Sequence, residues 1–164
     1  MKIFLTGGTG FIGSNFLNTI HRIDDIQVIA VKRHETSKPR IKLIKEPEWI
    51  ISSLGDIEIN VLKKCDILVH LAAHSSNSPY DNIENCIKYN VTDSLSLVKK
   101  SLKAGIKKFI IAGTCFEYGK SSNDYDYIPV NAPLNPVGSY PVSKAMFYHA
   151  VMETLNSCNV DYIY

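Results

Sequence analysis

Eight residues, Thr6-Gly7-Gly8-Thr9-Gly10-Phe11-Ile12-Gly13, restrict the folds open to this chain more than any other feature. They stand between a short apolar run, Lys2–Thr6, and an amphipathic segment, Phe11–Arg22. Glycines spaced G-x-x-G-x-x-G at a strand-to-helix turn let the backbone bend tightly, let an anion approach the main chain and let the helix lie close against the strand. The free N–H groups of the helix then face the anion. A glycine triplet alone is a weak signal, but the strand before it and the helix after it give the context of a dinucleotide-binding loop. Gly7, Thr9, Gly10, Phe11, Ile12 and Gly13 are accordingly the candidate cradle for a dinucleotide.

The alternation of short apolar runs with longer amphipathic ones continues along the chain. Gln27–Lys32, Ile50–Ser52, Ile67–Leu71, Lys108–Ala112 and Asp161–Tyr164 read as strands, and Asn60–Lys64, Asn82–Ala104 and Ser139–Ser157 as helices. Runs apolar on both faces, such as Ile67-Leu68-Val69, belong in a parallel sheet covered by helices on each side. The expected fold class is α/β, a doubly wound parallel sheet or Rossmann fold, with residues 1–164 forming one domain. With 45% hydrophobic and 21% charged residues, such a domain can build a core without disulfides or metal. His34–Glu48, with Pro39 and Pro47, reads as a polar excursion, and Trp49 with it either packs onto the sheet or stacks on adenine. Gly113–Gly138 is the one long irregular stretch, and a loop of that length inside a compact domain is usually functional.

Lys and Arg outnumber Asp and Glu by 18 to 16 with no long basic run, so nucleic acid is not an expected partner. Cys65, Cys86, Cys115 and Cys158 form no C-x-x-C, which points away from a metal site and towards a reduced, cytoplasmic chain. The apolar start breaks at Thr6-Gly7-Gly8, and no run of about 18 apolar residues occurs, so neither a signal peptide nor a membrane span is expected.

The end of the second strand selects the dinucleotide. An acid there would bind the adenine ribose 2′-OH, whereas a basic side chain suits a 2′-phosphate. The sequence is Val31-Lys32-Arg33-His34, with no acid before Glu35. NADP(H) is therefore favoured over NAD(H), with Arg33 as the clamp and Lys32 or His34 assisting.

Tyr140 and Lys144 begin the last long helix at i, i+4 spacing, which places them on one face, one turn apart. An ammonium so placed is expected to pull the phenol below its usual pKa, fitting it to move a proton while hydride passes to or from a nicotinamide. Lys108–Ala112 leads into Gly113-Thr114, putting a hydroxyl at the carboxyl end of the sheet, where it can polarise the same oxygen.

Taken together, the chain resembles the extended short-chain dehydrogenases/reductases of the NAD-dependent epimerase/dehydratase type, which act on nucleotide sugars. The resemblance covers essentially the whole chain and rests on Thr6–Gly13, Gly55-Asp56, His70-Leu71-Ala72-Ala73, Asn90, Gly113-Thr114 with Tyr118-Gly119, and Tyr140 with Lys144. It implies that Asp56 meets adenine and that Ala72 and Ala73 line the pyrophosphate and nicotinamide-ribose channel. By the same resemblance Ile57, Leu71 and Asn90 join the cofactor positions, Lys144 also holds the nicotinamide ribose, and Thr114, Tyr140 and Lys144 form the catalytic trio. Ala112–Gly119, with Pro133–Pro136 and Ser139-Tyr140, further resembles the CDP-abequose and CDP-paratose synthases, NADPH-dependent reductases of a CDP-4-keto-6-deoxyhexose. Such enzymes belong to nucleotide-sugar metabolism and polysaccharide (O-antigen) synthesis. Family members continue into a C-terminal substrate lobe that this sequence lacks, and they commonly pair through the helices expected at Asn82–Ala104 and Ser139–Ser157.

His74, Ser75 and Cys115 are candidate substrate contacts beside Thr114. Glu117 could act as an acid, but Cys115 and Phe116 stand where dehydratases of the family carry Asp-Glu, which disfavours dehydration. The residues leave open reduction by NADPH, NAD-dependent 4-epimerisation, and a dinucleotide-binding module without catalysis.

Overall fold

Lys2–Thr6 becomes β1, the middle of the sheet, because it is apolar enough to be buried on both faces: Ile3, Phe4, Leu5 and Thr6 are at most 2% exposed. The computed structural model describes residues 1–164 and pairs β1 with β2 (Gln27–Lys32) on one side and β4 (Ile67–His70) on the other. With β3 (Glu48–Ile51), β5 (Lys108–Ile111) and β6 (Asp161–Ile163), the order is β3-β2-β1-β4-β5-β6, parallel throughout. The winding reverses between β1 and β4, which opens a crevice at their carboxyl ends.

Alternate side chains feed two cores. Phe4, Ile29, Leu68, Phe109 and Ile111 pack with Leu97 and Val98 of α4 (Ser94–Ala104) and with Phe147 and Val151 of α5 (Ser139–Asn156). On the opposite face Ile3, Leu5, Val28, Ala30 and Val69 pack with Leu17 of α1 (Phe11–Ile20). Helical cover on that second face is incomplete. Val69, Ile110 and Ile163 lie in register across β4, β5 and β6, and their exposure rises from 2% to 40% to 67% away from α1.

A short α2 (Ile59–Leu62) follows β3. The helix expected over Asn82–Ala104 is three consecutive segments: α3 (Ile83–Cys86), capped by Asn82, a π-helical stretch over Ile87–Asp93, and α4. Trp49 is not part of the excursion but lies in β3 opposite Ala30. Its ring covers Gly8, where a Cβ would come within 3.2 Å, so it packs on the sheet rather than on adenine. The excursion itself folds back: the Arg40 N–H donates to the Thr9 carbonyl (3.1 Å), and Asn18 bonds both Lys42 and Ile44. No helix is long and apolar enough to cross a membrane.

Candidate active site

The turn from β1 into α1 is pressed against the end of β4. Gly7 has φ +75°, and a Cβ on it would lie 2.7 Å from the backbone of Leu71 and Ala72. A Cβ on Gly13 would lie 2.1 Å from the Gly7 carbonyl oxygen. These glycines keep side-chain atoms out of a cradle into which the first N–H groups of α1, unpaired within the helix, can point. The cradle therefore fits a pyrophosphate.

From it a cleft of about 750 Å³ runs both ways, within the usual size of a small-molecule site. One end is walled by Val31–Arg33 and Ser52–Leu54, the other by Ala112, Gly113, Tyr140 and Lys144. Gly7, Thr9, Gly10, Phe11, Ile12 and Gly13 line its middle, with Leu71, Ala72, Ala73, His74 and Asn90 opposite. Lys32 also reaches the wall, but its ammonium donates to the Glu35 carbonyl (2.9 Å) and lies over Trp49.

Other sequence candidates stand elsewhere. Ile57 is 1% exposed, in the larger core rather than the cleft. The Asp56 carboxylate accepts the Ser53 hydroxyl (2.7 Å) and is outside the lining. Ser75, at φ +60°, accepts the Asp81 N–H through its hydroxyl (2.7 Å) and holds its own loop. Thr114 and Cys115 lie just beyond the rim, Thr114 capping the turn Cys115–Glu117 and Cys115 exposed. Conversely Ser37, Lys38, Arg40, Tyr89 and Asp93 line the cleft with no spacing in the sequence to announce them. Arg40 and Lys38 arrive because the excursion bonds back onto Thr9.

Tyr140 and Lys144, one turn apart at the start of α5, are 6% and 3% exposed. The Lys144 ammonium donates to the Ala112 carbonyl (2.7 Å). Burial lowers Lys144 to about 8, opposed by the Glu117 carboxylate. Tyr140 runs against the expectation from helix spacing. Its pKa is raised, because burial outweighs the pull of the Thr114 hydroxyl. Spacing places the ammonium nearby but says nothing about desolvation, and here desolvation wins.

The surroundings hold this pair in place. Asn90, 3% exposed on the π-helical stretch, accepts the His74 N–H (2.7 Å) and donates to the His74 carbonyl (3.1 Å) and the Ser143 hydroxyl (3.0 Å). It thus ties the loop after β4 to α5. His74 pairs with Asp81 (2.7 Å) and packs on the Tyr89 ring. His70 is fully buried against Thr6, and burial lowers it to about 3, so it is neutral. Glu117, 4% exposed, accepts the Thr114 N–H (2.9 Å) and the Tyr164 hydroxyl (3.0 Å), and burial raises it. It braces the Thr114 turn.

Holding Lys144 near 8 has a consequence for stability. Its folded pKa is depressed, so its contribution is full above about 10.5 and is lost as pH falls through about 8. Lys144→Met is expected to stabilise the fold at neutral pH by about 2–3 kcal/mol and to remove the alkaline rise. Urea unfolding at several pH values checks this; a variant no more stable than wild type at neutral pH would refute it.

The family model for the NAD dependent epimerase/dehydratase family matches residues 3–164. The chain belongs to that family. Among individual relatives, it is 29% identical over 157 residues to a UDP-glucose 4-epimerase of Azospirillum brasilense, covering 88% of this chain and 42% of the relative. Among solved structures, the Bordetella bronchiseptica enzyme WbmG in complex with NAD superimposes with a TM-score of 0.78 at 25% identity, over 99% of this chain and 51% of that one. The UDP-N-acetylglucosamine 4-epimerase of Methanobrevibacter ruminantium, in complex with UDP-N-acetylmuramic acid, gives 0.83 at 25%, over 98% and 52%. The chain thus spans about half the length of these relatives.

Proposed function

We propose that this chain carries the dinucleotide site and proton-transfer residues of an NADP(H)-dependent oxidoreductase that reduces C4 of a nucleotide sugar, a CDP-4-keto-6-deoxyhexose. The carrying observation is the buried Tyr140–Lys144 pair at one end of a glycine-cradled cleft. A dinucleotide bound there supplies hydride chemistry. Lys144, with one N–H given to Ala112, has two more to offer ribose hydroxyls. Tyr140, kept protonated by burial, is suited to donate its proton to the C4 oxygen, and the neighbouring Thr114 hydroxyl to orient that oxygen. Pairing of two copies through the helical segments over Asn82–Ala104 and Ser139–Ser157, where Met146 is exposed, belongs to the same reading, as does a cytoplasmic setting.

NADP(H) is supported by Arg33, Lys38 and Arg40 on the cleft wall near the end of β2, where no carboxylate awaits a ribose 2′-OH. Wild type is expected to bind NADPH more tightly than NADH, and Arg33→Ala to erase about tenfold of that preference, as for one lost charge-assisted bond. Equal dissociation constants for both cofactors in wild type would end the assignment.

Similarity to a UDP-glucose 4-epimerase favours a second reading, NAD-dependent 4-epimerisation. Parallel incubations, one with a CDP-4-keto-6-deoxyhexose and NADPH and one with a 4-hydroxy nucleotide sugar, separate the two. Stoichiometric loss of NADPH supports reduction, whereas interconversion of 4-epimeric nucleotide sugars without net cofactor consumption supports epimerisation.

A further inference from the structure

Glu117, at 4% exposed, is the only buried carboxylate of the chain, and Lys144, at 3%, the only buried ammonium. Side chains of these types are seldom buried so fully unless they are paired or hydrogen-bonded. These two attract each other: the Glu117 carboxylate favours the charged form of Lys144, and the Lys144 ammonium favours the charged form of Glu117.

Three elements fix the carboxylate. In its own turn after β5 the Thr114 N–H donates to Oε1 (2.9 Å), and the Tyr164 hydroxyl, just after β6, donates to the same oxygen (3.0 Å). Tyr164 is held in turn by α5, its ring packing edge-on against Tyr148, one turn beyond Lys144, with 4.9 Å between centroids. Gly113 leaves room for both partners. A Cβ there would sit 2.5 Å from the Tyr164 ring and 3.3 Å from the Glu117 Oε1. Two donors converging on one oxygen suit an ionised carboxylate, which only accepts. The one hydrogen bond of the Lys144 ammonium goes to the Ala112 carbonyl, an uncharged partner that leaves its charge unbalanced.

We infer that Glu117 is a positioning residue for the proton-transfer pair: clamped by Tyr164 and the Thr114 N–H, its buried carboxylate is the counter-charge that keeps Lys144 an ammonium beside Tyr140. Glu117 acts through Lys144. The consequence for the reaction rests on the oxidoreductase reading above, whereas the charge pairing itself does not.

Other titratable groups face the two. His70 of β4, kept neutral by burial, feels the Lys144 charge. Tyr140 and Tyr164, both kept protonated by burial, feel the Glu117 charge. The exposed His149 of α5 adds a smaller pull on Glu117 than Lys144 does. None of these four supplies a negative charge at neutral pH, so Glu117 alone balances the ammonium.

The test is an NMR pH titration of the whole chain, labelled with 13C at the lysine ε-carbon and the glutamate carboxyl carbon, without cofactor or substrate. Lys144 is expected to lose its proton near pH 8 in wild type. Glu117→Gln keeps an oxygen for both hydrogen bonds and removes the charge, so Lys144 is expected to titrate at about tenfold higher proton concentration. Lys144→Met, expected to be more stable than wild type at neutral pH, is the reciprocal arm. There the pull of the ammonium is gone, and Glu117 is expected to titrate at about tenfold lower proton concentration. In the rate of NADPH oxidation, Glu117→Gln should carry the alkaline fall to lower pH, whereas a merely loosened site would lower the rate alike at every pH. A Lys144 midpoint unchanged in Glu117→Gln overturns the inference, as does a Glu117 midpoint unchanged in Lys144→Met. Should Glu117→Gln not fold, the Lys144→Met arm decides alone. Reciprocal shifts in a wild-type protein that never oxidises NADPH would support the inference and overturn the oxidoreductase reading.

Discussion

Tyr140→Phe is expected to slow NADPH-dependent reduction of a CDP-4-keto-6-deoxyhexose by about a hundred- to ten-thousandfold, the usual contribution of a positioned acid. The substitution deletes one oxygen from a ring that is 6% exposed, so packing and backbone are preserved. What disappears is the only phenol on the cleft wall at the Lys144 end. Because the Lys144 ammonium is anchored on the Ala112 carbonyl rather than on Tyr140, cofactor affinity is expected to stay near that of wild type. Stopped-flow oxidation of NADPH measures the rate, and fluorescence titration of NADPH the affinity. Full activity in the variant would remove Tyr140 from the chemistry. A parallel collapse of cofactor affinity would make its role one of binding.

The parts of this site that could be read from the sequence are those whose information is local. The glycine cradle is specified by residues within one turn, flanked by a strand and a helix, and its members all line the cleft. The six strands follow from alternating apolar runs, and their ends shifted by only a residue or two. Long-range contacts were not legible. Arg40 reaches the cleft through a backbone bond to Thr9 in a distant turn, and no side-chain pattern encodes that bond. The π-helical stretch over Ile87–Asp93 carries the apolar stripe of an ordinary helix, so the altered register of Asn90 and Asp93 left no mark in the periodicity.

Two acids show the same division. Asp56 sits in a recognisable Gly-Asp pair, yet its carboxylate bonds Ser53 at an exposed turn. Asp93 belongs to no motif, and only the folded packing around Gly55 brings it to the cleft. The proton chemistry of Tyr140 divides likewise. Helix spacing correctly puts Lys144 on the same face, but the sign of the pKa shift depends on how much water both side chains lose, which is a property of the tertiary structure.

Gly13→Ala is expected to abolish measurable NADPH binding and to destabilise the domain, whereas Gly10→Ala, three residues earlier in the same motif, should do much less. A Cβ on Gly13 would lie 2.1 Å from the Gly7 oxygen, 2.7 Å from its carbonyl carbon and 2.8 Å from the Gly8 Cα. All three are backbone atoms, so no rotamer change relieves the overlap. Either α1 lifts away from β1 or the turn opens, and Gly7 is itself wedged against the backbone of Leu71 and Ala72. Overpacking a tight site costs about 1–3 kcal/mol, and shifting a binding group by about 1 Å can cost about a hundredfold in a positioned interaction. Both penalties fall on the N–H groups that would meet the pyrophosphate. On Gly10 the nearest atom to a Cβ would be the Gly7 oxygen at 3.2 Å, a contact that a few tenths of an ångström relieve. Thermal unfolding and NADPH titration of the two variants side by side separate the cases. Wild-type affinity in Gly13→Ala would mean that the close approach of helix to strand does not shape the cofactor cradle.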